Sequence, residues 1–146
     1  MIAVFHLVKR FVGSLSPAAP TVADEVWAES FLLDGELALW RRLSNVDRRH
    51  AIRVARRFEP LGSWTRDEMA AALLHDIGKI ASQLSTLERV GATILGNRTE
   101  RWRDYRDHER IGVELCRESG SSAATLAILS NQPSDSVTAL RRADRI

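Results

Sequence analysis

An all-α fold, an orthogonal bundle of helices in one globular unit, is what this sequence predicts, and three features predict it. Sustained alternation of apolar and polar residues rich in β-branched side chains is absent. Apolar residues recur instead at steps of three and four, and helix-capping residues precede several of those stretches. A length of 146 residues with 45% hydrophobic and 27% charged content suits a single domain with a real core.

The elements follow in order. A short helix is predicted over Ala3–Val12, then an irregular connection through Gly13–Pro20, where glycine and two prolines break the pattern. A helix over Ala23–Leu33 is predicted to break at Asp34-Gly35 and resume at Glu36–Trp40. Ser44-Asn45-Val46-Asp47 reads as a cap that starts a helix running to Phe58, stopped by Pro60. Its inner stripe is Val46, His50, Val54 and Phe58, with Ala51 and Ala55 alongside. Thr65-Arg66-Asp67-Glu68 is a fuller capping box, launching an apolar helix that ends on His75-Asp76 and that Gly78 can terminate. Further helices are predicted at Ser82–Leu95, Asp104–Glu118, Ser122–Leu129 and Ser136–Arg145, the last carrying Val137, Leu140 and Asp144 on one face. Four tryptophans, Trp27, Trp40, Trp64 and Trp102, are expected to anchor the packing.

His75 and Asp76 end the run Met69–Leu74, which places an imidazole and a carboxylate at the inner end of a buried helix. Burying two polar groups unpaired costs several kcal/mol, and a bound metal ion is the usual reason a protein tolerates it. Neighbours on a helix diverge by about 100°, so both reach one ion only if the helix end points at it. His50 and Asp144 also fall on apolar faces, on two other helices. Taken singly, His50 reads more readily as a core histidine and Asp144 as a solvated aspartate. An imidazole and carboxylate set suits borderline and hard divalent ions.

The order His50, His75-Asp76, Asp144, with the pair inside Leu74-His75-Asp76-Ile77-Gly78-Lys79, resembles the HD-domain superfamily of metal-dependent phosphohydrolases. Asp47–Ala55 is similar to its first-histidine helix, and Ala139–Ile146 to its closing helix. The resemblance covers about residues 45–146. It implies an HD-like metal-binding domain over 44–146; residues 1–43 fall outside the resemblance and are expected to pack on that domain as a helical extension. It also implies that His50, His75, Asp76 and Asp144 bind one divalent metal: Mn, Fe, Ni, Co, Zn or Mg. Asp76 would orient the attacking water, and Lys79 would act with it beside a substrate phosphate. A divalent ion lowers the pKa of bound water from 15.7 toward about 7. Arg53, one turn after His50, is assigned from helical spacing as a second phosphate contact.

Binuclear relatives carry further histidines. His108 matches the first of these, as a substrate contact or a structural histidine, but Ile128-Leu129-Ser130-Asn131-Gln132 holds no second one. A second metal is therefore not expected, and di-iron oxygen chemistry is disfavoured with it. The expected activity is hydrolysis of a nucleotide or another phosphate ester. The alternative is a catalytically reduced module that binds a nucleotide or protein partner around a structural metal.

Charge narrows the partners. Net charge is +2, with 21 basic and 19 acidic residues, and the arginine pairs are dispersed as solvated helix faces rather than gathered into a nucleic-acid surface. Lys9 and Lys79 are the only lysines, a hint that an ammonium is wanted after the His-Asp pair. One cysteine, Cys116, forbids an intrachain disulfide. The first ten residues carry their charge after the apolar stretch, unlike a signal peptide, and no run reaches membrane-spanning length. The expectation is a cytoplasmic protein, with apolar residues in 1–43 to cover the bundle or pair a homodimer.

Overall fold

The computed structural model describes residues 16–82 and 98–146. The helix expected at Ala3–Val12, and most of that expected at Ser82–Leu95, lie outside the described residues, as does the side chain of Trp102. The described residues hold seven α-helices and no strand: α1 (Val22–Glu29), α2 (Asp34–Trp40), α3 (Asn45–Phe58), α4 (Arg66–Leu74), α5 (Arg98–Glu118), α6 (Ala123–Leu129) and α7 (Asp135–Arg145). The all-α expectation holds.

Caps explain most boundaries. Thr21, Ser44, Thr65, Ser122 and Ser134 each accept a backbone N–H from the first turn of the helix they precede. At Thr65 the bond is reciprocal, because the Glu68 carboxylate accepts the Thr65 amide at 2.7 Å. One boundary differs from expectation. Asp34-Gly35 opens α2 rather than breaking a helix, and the break falls at residues 30–33. The Leu33 amide donates to the Glu36 carboxylate at 2.8 Å, which fixes that start.

The helix α4 is buried on every side, from Met69 through Leu74, the mark of a central element. Its neighbours are α3 and α6, and α7 lies against α3. From α3 come Ala51, Ile52, Val54, Ala55 and Phe58, and from α7 Val137, Leu140 and Ala143. Val46 and His50, expected on the inner stripe of α3, are only half-buried. The stripe therefore enters the core from residue 51 onward and leaves His50 at its edge.

Ala28, Leu39, Trp40 and Leu43 join the same hydrophobic cluster, so the first two described helices share the core. Trp40 is fully buried and donates to Glu25 at 3.0 Å, while Trp64 stacks on Phe58 and donates to its carbonyl oxygen at 2.8 Å. Trp27 meets Phe31 edge-on and carries the Arg56 guanidinium over its ring.

Candidate metal centre

The helix α4 delivers the His-Asp pair in a way that spacing alone did not give. Leu74 is its last residue, His75 is the C-cap, and Asp76 lies in the turn that leads into a 3-10 segment, Ile77–Ser82. Gly78 sits inside that segment, so it does not terminate α4. Because the pair straddles the helix end, the angular divergence of consecutive helical residues does not keep the two side chains apart.

His75 Nδ1 lies 2.8 Å from the Ala72 carbonyl oxygen, one of the orphan acceptors that every helix end leaves behind. A carbonyl only accepts, so Nδ1–H donates and Nε2 presents a lone pair. That Nε2 is buried and has no hydrogen-bond partner. It nevertheless lies 3.5 Å from Asp76 Oδ2 and 3.5 Å from Asp144 Oδ1. His50 Nε2 lies 3.3 Å from the same Asp144 oxygen and 3.8 Å from Asp76 Oδ2. The two imidazole centroids are 5.7 Å apart.

These separations fit a shared cation better than they fit hydrogen bonds. Donors that each hold one ion at roughly 2.0–2.2 Å stand about 3–3.5 Å apart in tetrahedral or octahedral arrangements. Good N–H···O bonds are nearer 2.9 Å. Among the described residues His50, His75 and Asp76 form a group compact enough to hold a metal ion, and Asp144 reaches both imidazoles. The donor set, two imidazoles and two carboxylates with one lone pair left unsatisfied, fits a divalent metal. All four sequence-predicted ligands are thus brought together. Asp144 differs in burial: Ala143 takes the inward position on α7, and the Asp144 side chain is 42% exposed.

The electrostatics point the same way. The imidazoles of His50 and then His75 beside it hold the Asp144 carboxyl far below the usual carboxylate range. Burial works against ionised Asp76, yet His75 and Lys79 outweigh it and lower its pKa. His75 is raised despite burial, by Asp144 and Asp76. Two ionised carboxylates, of which only Asp76 has an ammonium beside it, face the two imidazoles, a set suited to a divalent cation.

Lys79 Nζ lies 2.8 Å from Asp76 Oδ2 and 3.7 Å from Asp47 Oδ1, and Asp76 keeps its pKa raised against burial. It braces the carboxylate. Asp47 escaped the sequence reading as a member of the site. The available signal was its position on α3, one turn before His50 and on the same face.

A cavity of about 390 Å³ opens beside the cluster. His75, Asp76 and Asp144 line one side, Ile128, Leu129, Val137 and Leu140 form an apolar wall, and Glu109, Asn131, Arg141 and Arg145 complete it. Arg141 and Arg145 were missed in the sequence, where they look like two more surface arginines. Arg53 is exposed on α3. His108 is half-buried on α5, outside the compact ligand group, while its neighbour Glu109 reaches the cavity wall.

The family model described as HD domain matches residues 48–146. No curated protein and no solved structure matches the chain. The match spans His50, the His75-Asp76 pair and Asp144, the same side chains that the fold gathers at the edge of its core. The chain belongs to the HD-domain family, whose members are generally metal-dependent hydrolases.

Proposed function

We propose that the protein is a metal-dependent phosphohydrolase, using one divalent ion held by His50, His75, Asp76 and Asp144 to cleave a nucleotide or related phosphate ester. The observation that carries this is the His75 Nε2 lone pair, buried without a partner and 3.5 Å from each of two carboxylates. When bound, a divalent ion supplies Lewis acidity, polarising the phosphoryl group and acidifying water.

The chain's own residues do the rest. Ala72 fixes the tautomer and ring orientation of His75 through Nδ1. Asp76, kept ionised by His75 and Lys79, orients the attacking water and accepts its proton. Lys79 offsets the charge that accumulates around Asp76 and the phosphoryl oxygens. In this reading Arg53 and His108 are outer contacts of the substrate.

Residues 44–146 form the metal-binding unit in this reading, with 1–43 as an extension upon it. A cytoplasmic setting belongs to this reading because the sequence has one cysteine, Cys116, and can form no intrachain disulfide. No helix among the described residues is long and apolar enough to cross a membrane.

The test is phosphate release from a panel of nucleotides and a generic aryl phosphate, with the protein loaded in turn with Mn, Fe, Ni, Co, Zn and Mg. Hydrolysis with at least one metal, abolished in Asp76→Asn and His75→Ala, is the expected result. No release with any metal, or variants as active as the parent protein, would end the proposal.

A further inference from the structure

Two helices end in the same way but with different residues. Both α5 and α6 close in a Schellman motif: Ser121 N–H bonds to the Cys116 carbonyl and Gln132 N–H to the Ala127 carbonyl, each at 3.0 Å. The left-handed position is Gly120 in the first, at φ 86°, and Asn131 in the second, at φ 58°. Glycine is the residue of least strain there. Asparagine also adopts this position, and unlike glycine it brings a side chain to the cavity wall, where that side chain has two partners. Its Oδ1 accepts from Arg141 Nη2 at 3.4 Å, and its Nδ2 donates to Glu109 Oε2 at 3.5 Å. Glu109, Asn131 and Arg141 come from α5, the α6 terminus and α7, and all three line the cavity that holds His75, Asp76 and Asp144.

Arg141 shares a face of α7 with Asp144 and Arg145, one turn on. Like charges at that spacing repel, an arrangement that a bound anion relieves. The contact to Asn131 is long, and it occupies one edge of a guanidinium that has five donors in all. The remaining donors match phosphate oxygens in pairs.

The charge on the walls limits what the arm can hold. Asp76, Asp144 and Glu109 against Arg141 and Arg145 leave one negative charge. A divalent ion, together with Lys79 and the Asp47 carboxylate that it also meets, turns this into one positive charge, which suits a single phosphate group and falls short of a triphosphate. The apolar wall of Ile128, Leu129, Val137 and Leu140 is left for the organic part of the ester. At about 390 Å³ the cavity has room for one small ligand.

We infer that Arg141, positioned by Asn131 against Glu109, is the phosphate-binding arm of this site and selects esters of a single phosphate carrying an apolar or aromatic group. The inference rests on the hydrolase reading for its substrate, and its test separates the two. The full-length, Mn-loaded protein is titrated with inorganic phosphate by calorimetry. It is then assayed with p-nitrophenyl phosphate and with nucleoside mono- and triphosphates.

Arg141→Ala weakens phosphate binding about tenfold or more, the size of a charge-assisted contact, and Arg141→Lys recovers part of the loss. Asn131→Gly keeps the melting temperature, since glycine suits the left-handed backbone. It raises KM for p-nitrophenyl phosphate several-fold while leaving kcat within about twofold, the signature of lost positioning in binding. The parent protein prefers nucleoside mono- over triphosphates in kcat/KM, and Arg141→Ala narrows that preference.

Phosphate binding unchanged in folded Asn131→Gly and Arg141→Ala overturns the arm and leaves the hydrolase standing. Phosphate binding weakened in both variants, with no hydrolysis by the parent protein loaded with any of the six metals, supports the arm and removes the hydrolase. A parent protein that binds no phosphate overturns the arm outright.

Discussion

Gly78 and His108 meet backbone to backbone: a Cβ on Gly78 would lie 1.9 Å from the His108 carbonyl oxygen and 3.1 Å from the Gly112 amide nitrogen. The 3-10 segment that follows the His-Asp pair is thus pressed onto α5 at a point where only hydrogen fits. A carbonyl in a helix ladder cannot swing aside, so a side chain here must separate the two elements. Gly78→Ala should destabilise the fold by roughly 1–3 kcal/mol or more, the range of overpacked sites, as measured by urea denaturation. Because Asp76 and Lys79 flank the contact, metal affinity should fall with it. A variant with parental stability would show that the two elements do not touch as described.

The same contact shows where the sequence was legible and where it was not. The caps at Ser44 and Thr65 were readable because their partners lie within one turn: Ser44 bonds to Asp47, and Thr65 to Glu68. The His75-Asp76 pair stands out because polar residues that end an apolar run are conspicuous, whereas His50 and Asp144 enter the candidate set only through the resemblance to the HD-domain superfamily. The local pattern suggests a helix stop at Gly78 and a helix break at Gly35. Both are instead places where distant backbone comes close: a Cβ on Gly35 would lie 2.0 Å from the Ser119 carbonyl oxygen. Such reasons are tertiary, and no local pattern carries them. Arg141 and Asn131 were hidden likewise, since only the folded chain sets them across the cavity from His75.

Metal loading should stabilise the protein, because the site is incomplete without positive charge. An ion at about 100 times its Kd adds roughly 2.7 kcal/mol of stability. For a chain of this size that is a rise of about 5–10 °C in Tm. Thermal denaturation with and without Mn or Zn measures it, and a chelator should reverse it. Asp144→Asn is the informative variant, because Asp144 lies at the edge of the core and its replacement opens no cavity. An equal metal-induced rise in that variant would remove Asp144 from the ligand set.

Glu36 is fully buried, and its carboxylate gathers three donors: the Leu33 amide at 2.8 Å, Arg66 Nη1 at 3.1 Å and the Ser121 hydroxyl at 2.8 Å. One side chain thereby ties the start of α2 to α4 and to the turn after α5. Removing one member of a fully buried pair costs roughly 3–5 kcal/mol. The Arg66 side chain keeps 33% exposure, so Arg66→Ala should cost less, about 2–3 kcal/mol. Glu36→Ala should cost more, since it removes a buried acceptor from three donors at once, one of them charged. The denaturation midpoints of the two variants decide the order, and the reverse order would mean that Arg66, not Glu36, is the hub.

Acid should loosen the start of α4 through Glu68. Burial works against its ionised form, but the Ser136 hydroxyl and the Thr65 amide and hydroxyl all donate to the carboxylate and lower its pKa below the ordinary 4.5. The folded chain therefore releases this proton more readily than the unfolded chain does. The unfolded state binds more protons in that interval, so stability rises with pH across it. The contribution is fully present above 4.5 and is lost as pH falls through the lower, folded value. Glu68→Gln has no such proton to take up. The gap in stability between the parent protein and Glu68→Gln should be widest at neutral pH and shrink steadily below 4.5. Other carboxylates, Asp76 and Asp144 among them, titrate in both proteins and cancel in the comparison. Urea midpoints at neutral pH and at two values below 4.5 measure the gap. A gap that does not change with pH would mean that Glu68 holds Thr65 and Ser136 by shape rather than by charge.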